Sequence, residues 1–319
     1  MYANKENINI LTALLVAHGV RRAVVCPGSR NAPIVHNLVN SGAINCYPVT
    51  DERSAGFYAL GMAQLDGDAV AVCVTSGSAL LNLLPAVAEA YYQHVPLIVI
   101  SADRPLAWID QQDGQTIRQP NALEGFVKKA VSLNEPTDET QRWHCNRLVN
   151  EALLATRHHG MRPVHINVHL AEPLFDYSIS TLPNERTMCQ IMPQTLAEAD
   201  LAPLISLFLK AQKPLIVVGQ MPPNALNAQY VAALQRQAVV VSEVLSHVGG
   251  LQNADEMLGT AQETAPFMPD FVLCMGGHLI GKNLKLLLRQ MHDSPQWLVN
   301  ESGEVVDTFM HLTAIIEAK

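Results

Sequence analysis

Two hydrophobic rhythms alternate along this chain. Short unbroken apolar runs, such as Ala23-Val24-Val25-Cys26 and Leu97-Ile98-Val99-Ile100, fit strands covered on both faces of a sheet. Between them, apolar residues recur three or four apart, as on one face of a helix. Ile8, Leu11, Leu14 and Leu15, closed by Gly19, form the first such set. After it the pattern predicts a strand over 23–26, a turn at Pro27-Gly28-Ser29-Arg30-Asn31, and a helix carrying Ile34, Leu38 and Val39. It continues with strand 45–49, helix 52–64, strand 69–74, helix 79–92 and strand 97–100. A polar loop over 101–120, helix 140–157 and strand 164–168 complete the unit. Strands alternating with helices imply a parallel sheet with helices on both faces.

Residues 181–194 are polar and carry two prolines, which marks a boundary. The alternation then restarts: helix 195–211, strand 215–219, helix 224–237, strand 238–241, strand 271–275, helix 282–290 and strand 297–299. The expected fold class is therefore α/β, with two doubly wound, mainly parallel-sheet domains over residues 1–180 and 195–319. A length of 319 residues agrees, at about 150 per domain.

Composition narrows the partners. Hydrophobic residues make up 49% of the chain and charged residues 16%, enough for two cores with some left for subunit contacts. A net charge of −8 argues against nucleic acid. No stretch approaches the ~18 consecutive apolar residues of a membrane span. Residues 8–17 could pass for a signal core, but Glu6 offsets Lys5, and Asn9 and Thr12 interrupt the run. The six cysteines are scattered without a CxxC pair, which reads as reduced thiols in a cytoplasmic protein.

Chemistry-bearing residues gather where strands end. Asp51-Glu52 opens the helix after the second strand. An acid there is an ordinary N-cap, but a cap needs one carboxylate and Asp51 can supply it, leaving Glu52 facing a helix of small residues. The Thr75-Ser76-Gly77-Ser78 turn follows the next strand. Gly28-Ser29-Arg30 is a strand-to-helix turn of the kind that binds anions, or an ordinary turn with a solvated arginine. Arg104 follows another strand, and the loop after it holds Gln115, Arg118, Gln119 and Pro120. Arginines collected at the carboxyl edge of a doubly wound sheet suit a carboxylate or phosphate. The alternative is that each pairs with a nearby acid, as Arg104 could with Asp103 or Asp110.

Gly276 to Lys282 matches the G-x-x-x-x-G-K spacing of a phosphate loop. Asn283 stands where a Ser or Thr would hold Mg²⁺, and no partner strand-Asp follows, so a turn presenting Lys282 toward the domain interface is the better reading. His165 and His169 share a strand face with Asn167 between them, and His158-His159 is a loop pair. Neither has a third ligand or the helix setting of a zinc site, so no metal ligand is expected.

In this order, VCPGSRNAPI, DERSAGFYALGMA, AVCVTSGSALLNLLPAVAEA, PLIVISADRP, QTIRQP and VHINVHLAEPLF resemble the N-terminal half of one family. It is the menaquinone-pathway family of 2-succinyl-5-enolpyruvyl-6-hydroxy-3-cyclohexene-1-carboxylate synthases (the MenD family), which depend on thiamine diphosphate and Mg²⁺. KPLIVVGQ, SEVLSHVGG and GGHLIGKNL resemble the family's central, Rossmann-like domain. The resemblance implies a pyrimidine-binding domain over 1–180 and a central domain over 195–319. The family's third domain, which binds diphosphate and metal through a G-D-G motif, has no counterpart here. The implied chain is a fragment, inactive alone.

The implied reaction decarboxylates 2-oxoglutarate and adds the succinyl carbanion to isochorismate. Glu52 matches the cofactor-activating glutamate, and Thr75, Ser76 and Asn82 the pyrimidine pocket. Ser29, Arg30, Arg104, Gln115, Arg118 and Lys282 match substrate-binding positions. A homodimer or higher homo-oligomer is implied. The alternatives are another thiamine-diphosphate carboligase of the acetolactate-synthase kind, which has less need of these arginines, and a non-catalytic two-domain binding module.

Overall fold

A computed structural model describes residues 1–189, 198–291, 294–304 and 306–318. The chain divides into two compact units, residues 1–190 and 191–319.

The first unit runs α1 (Glu6–Ala17), β1 (Arg22–Val25), α2 (Ala32–Asn40), β2 (Asn45–Pro48), α3 (Glu52–Asp66), β3 (Val70–Val74), α4 (Ser78–Asn82), α5 (Leu84–Tyr92), β4 (Leu97–Asp103), β5 (Lys129–Leu133), α6 (Glu139–Ala155) and β6 (Val164–His169). Its six strands lie in the order β2-β1-β3-β4-β6-β5, and each pairing is parallel. One buried cluster joins α1, α2 and α6 to one face of the sheet, and a second joins α3, α4 and α5 to the other. Both faces are thus covered, which is why β3 and β4 are apolar runs rather than alternating ones. Leu11, Leu14 and Leu15 of α1 are fully buried, each contributing about 1.5–3 kcal/mol of apolar burial.

The strand order places a switch point between β1 and β3. The chain leaves β1 for β2 on one side and then crosses to β3 on the other. A crevice opens at the carboxyl ends of two such strands.

Three expectations for this unit need correction. Helix 79–92 is two helices, because Pro85 has no N–H to donate and its ring crowds the carbonyl four residues back; α4 stops and α5 restarts with the proline in its first turn. The loop after the fourth strand begins later than Ser101, since β4 continues to Asp103. Strand β5 was not expected: Lys129 and Ser132 interrupt its apolar pattern, yet it pairs along the sheet edge with β6.

The second unit runs α7 (Glu198–Lys210), β7 (Pro214–Val218), α8 (Ala228–Leu234), β8 (Val239–Ser242), α9 (Ala254–Thr260), β9 (Phe271–Met275), α10 (Lys282–Leu288), β10 (Gln296–Asn300) and β11 (Leu312–Glu317). Its strand order is β11-β10-β9-β7-β8, again parallel throughout. The helix expected from 195 is described only from Glu198; residues 195–197, like the boundary stretch 190–194, lie outside the described residues. The helix expected over 224–237 is the shorter α8. Helix α9 was not anticipated, and the apolar run 312–316 is an edge strand.

All six cysteines are free. Burial pushes the thiols of Cys26, Cys73, Cys145 and Cys274 up to about 12, with Glu52 and Asp51 adding to the shift at Cys26; Cys189 is exposed. No helix among the described residues is long and apolar enough to cross a membrane.

Candidate active site

Because every strand of the first unit points the same way, the segments after β1, β2, β3, β4 and β6 all emerge at one edge. They carry Ser29-Arg30, Asp51-Glu52, Thr75-Ser76-Gly77, Arg104 and Glu172 respectively.

Asp51 and Glu52 divide their work. Asp51 is the N-cap of α3, its Oδ1 accepting the Ser54 N–H at 2.7 Å. That hydrogen bond holds the Asp51 carboxyl below its ordinary range. Glu52 is therefore not needed as the cap. It is half-buried on the first helical turn, and Asn82 Nδ2 donates to its Oε2 at 3.2 Å. Its charge is felt at Cys26, which places it beside the carboxyl end of β1.

The two turns at the switch point press together. A Cβ on Gly28 would lie 2.5 Å from the Thr75 Cβ and 2.6 Å from Asn31 Oδ1, so the first turn admits no side chain there. Thr75 and Ser76 are buried. Gly77, at φ +83°, adopts the left-handed backbone that suits glycine. Gln115 Nε2 reaches back from the long loop to donate to the Ser76 carbonyl at 3.1 Å.

The arginines differ in setting. Arg30 is only 7% exposed, contrary to a solvated turn arginine. Its Nη1 donates to the Leu170 carbonyl at 3.0 Å and its Nη2 pairs with Glu172 at 3.1 Å. Burial lowers its pKa, and the neighbouring positive charge of Arg104 lowers it further. Each of these two guanidiniums has a carboxylate partner, Glu172 for Arg30 and Asp113 for Arg104, as the alternative reading of the arginines expected. Arg104 is partly exposed, with Nε directed at the Gly114 carbonyl and at Asp113, each 2.9 Å away. Its acid partner is thus Asp113, not Asp103 or Asp110. Arg118 is far more open, its side chain 82% exposed and paired with Asp110 at 2.7 Å. Ser29 is exposed at the turn.

Sequence reading named Gln119, Asn167 and His169 but missed that they lie buried beneath this edge together with Ser101 and Asp103. The signal was present in His165-Ile166-Asn167-Val168-His169, where polar residues two apart share one face of a buried strand. Burial also lowers His165 to about 4, so its imidazole is neutral at pH 7.

In the second unit, Lys282 is exposed and opens α10. The phosphate-loop spacing before it has a different use. Glu243 Oε1 accepts the N–H groups of Ile280 and Gly281 at 2.7 and 2.9 Å, and Asp255 Oδ1 accepts that of Leu284 at 3.0 Å. Protein carboxylates take the places a phosphate would occupy. Asn283 donates to the Asp255 carbonyl at 3.0 Å and so ties α10 to α9. Among the described residues, no group of three or more His, Cys, Asp or Glu could hold a metal ion.

Residues 8–123 match the N-terminal TPP binding domain of thiamine pyrophosphate enzymes. The whole chain is similar to 2-succinyl-5-enolpyruvyl-6-hydroxy-3-cyclohexene-1-carboxylate synthases. The match to that of Bacteroides thetaiotaomicron is 46% identical over 99% of this chain, and to that of Bacteroides fragilis 47% over 99%. The chain is thus similar to these synthases along nearly all of its own length. Its match to the Porphyromonas gingivalis member is 39% identical over 98% of the chain. The chain spans 58%, 59% and 55% of the lengths of these three synthases.

Proposed function

We propose that this chain supplies the pyrimidine-facing and substrate-facing parts of a thiamine-diphosphate-dependent synthase. The reaction decarboxylates 2-oxoglutarate and joins the succinyl unit to isochorismate. The observation that carries the reading is the division of labour at α3: Asp51 caps the helix, so the half-buried Glu52 is available to a ligand at the switch-point crevice.

The residues fit the pyrimidine end of the cofactor. Glu52 would share a proton with a ring nitrogen, Asn82 would orient its carboxylate, and Thr75 and Ser76 would shape the wall. Bound there, thiamine diphosphate would supply the electron sink for decarboxylation. The reading assigns Mg²⁺ and the diphosphate to ligands outside the described residues, since no metal-holding cluster is found among them. Arg30 and Arg104, with Ser29 and Gln115 beside them, would bind the carboxylates of the two polyanionic substrates. Arg118, exposed on the loop, would reach substrate there, and exposed Lys282 is the second unit's substrate-binding candidate. The first unit is read as the pyrimidine-binding domain (1–180) and the second as the central domain (195–319). The same reading takes the protein as a cytoplasmic homo-oligomer, in keeping with its free thiols.

The test is to express the complete reading frame with thiamine diphosphate and Mg²⁺ and to follow product by mass spectrometry. Product from 2-oxoglutarate plus isochorismate is expected. Turnover of pyruvate with no use of 2-oxoglutarate would overturn the reading in favour of an acetolactate-type carboligase.

A further inference from the structure

Beneath the crevice, buried side chains join head to tail between the Thr75-Ser76-Gly77 turn and Arg104. Gln119 is fully buried. Its Oε1 accepts the Gly77 N–H at 2.7 Å, while its Nε2 donates to the Ala102 carbonyl at 3.1 Å and to Asn167 Oδ1 at 2.8 Å. The two backbone groups dictate this orientation, because an amide oxygen cannot face a carbonyl and an amide nitrogen cannot accept. Asn167 is then fixed in turn, and its Nδ2 donates to Asp103 Oδ2 at 2.9 Å. Asp103 Oδ1 accepts the Arg104 N–H at 2.8 Å, and His169 Nδ1 donates to the Arg104 carbonyl at 2.7 Å. Ser101 Oγ donates to Asn167 Oδ1 at 2.7 Å, and His165 Nε2 donates to Ser101 Oγ at 2.8 Å.

Both backbone polar groups of Arg104 are therefore held by buried side chains, and the chain of donors and acceptors leads back to Gly77. Gln119 is the one side chain in it that comes from a loop. It lies between β4 and β5, outside every helix and strand, so the sheet does not need it for its ladder. A buried amide costs free energy unless each polar atom is paired, and here each one is.

We infer that Gln119 is a positioning residue that couples the Thr75–Gly77 turn to the Arg104 peptide through Asn167 and Asp103. Displacement of the turn by a ligand on one side alters the seat of Arg104 on the other, and the reverse. The meaning of the two sides, cofactor and substrate, rests on the proposed function; the linkage does not.

The test reads the linkage directly, in the whole chain without cofactor. In Gln119→Glu the first carboxyl oxygen still accepts from Gly77, but the second meets the Ala102 carbonyl and Asn167 Oδ1, both acceptors. Protonated, it donates to one of them; ionised, it repels both. Backbone amide resonances of Gly77 and Arg104 should therefore titrate together with one midpoint absent from the wild type. The wild-type titration is the reference, because Asp103, His169, His165, Arg30 and Arg104 also face this network. Should that variant fail to fold, Gln119→Met removes the amide without adding charge. Hydrogen exchange should then rise about tenfold at both Gly77 and Arg104. A change confined to Gly77, in either variant, overturns the inference and leaves Gln119 as a local prop of the turn. A shared change together with no synthase activity in the complete protein would sink the proposed function and leave the coupling standing.

Discussion

Asn82 donates its side-chain N–H to Glu52 at 3.2 Å, so the last residue of α4 steadies the carboxylate on the first turn of α3. Glu52→Gln keeps the shape but cannot share a proton with a pyrimidine nitrogen. In the complete, cofactor-loaded protein it should slow exchange of the thiazolium C2 proton by at least about a hundredfold, within the usual range for losing a general acid–base group. Asn82→Ala should give a milder loss in the same assay. Wild-type exchange in a folded Glu52→Gln protein would reduce Glu52 to a helix-start acid.

Arg30 and Arg104 belong to a different class of mutant. Arg30→Ala and Arg104→Ala remove cations proposed to meet substrate carboxylates. Truncating one partner of a desolvated charge pair costs about 2–5 kcal/mol, so affinity for 2-oxoglutarate or the joining step should fall steeply. Exchange of the C2 proton without substrate should stay near the wild-type rate. Arg118→Ala, at a far more exposed position, should be the mildest of the three. Equal losses in all three would count against the assignment.

The 319-residue chain by itself should bind thiamine diphosphate weakly, because the proposed function gives it the pyrimidine end of the cofactor and no role at the diphosphate. Calorimetry with the cofactor and Mg²⁺ should give no micromolar binding and no turnover. Tight, Mg²⁺-dependent binding would refute this.

Association should run through the outer face of α3. Phe57, Tyr58 and Leu65 are exposed there, and Leu81 and Tyr92 are exposed on the neighbouring helices. Gly56 lets α5 close on α3, since a Cβ there would lie 2.8 Å from that of Ala86. Light scattering should report a dimer. Tyr58→Glu with Leu65→Glu should shift it to monomer, and a wild-type monomer at high concentration would rule the surface out.

Acid should weaken the first unit through His165. Burial lowers its pKa to about 4, whereas an unfolded histidine titrates near 6.5. Between those values the unfolded chain binds a proton that the folded one refuses. Stability is full above about pH 6.5 and falls as pH drops toward 4, by about 3 kcal/mol in all. Urea unfolding should reveal this slope, and His165→Leu should flatten it. An unchanged slope in the variant would place the acid sensitivity elsewhere.

Much of the fold was legible because β3 and β4 are covered on both faces and so carry their signal in composition alone. The edge strand β5 was harder: Lys129 and Ser132 mix polar residues into its half-exposed pattern. The break between α4 and α5 could have been read from Pro85. At the crevice, Glu52, Thr75, Ser76 and Asn82 could be picked out from their positions after strands and their family resemblance. The pairings of Arg30 with Glu172 and Arg104 with Asp113 could not, because they join residues far apart or within an irregular loop. The same holds for Gln119, whose partners come from three separate segments.

The cysteine distribution has a practical use. The thiolate is the reactive form, and a thiol raised to about 12 is ionised at pH 7 in only about one part in a hundred thousand. Cys46 is half-buried and shifted the same way. Exposed Cys189 lies beside the point where the chain passes from one unit to the next. A maleimide dye or nitroxide at neutral pH should therefore attach there in the wild-type sequence, giving a single-site label beside the unit boundary without altering a residue.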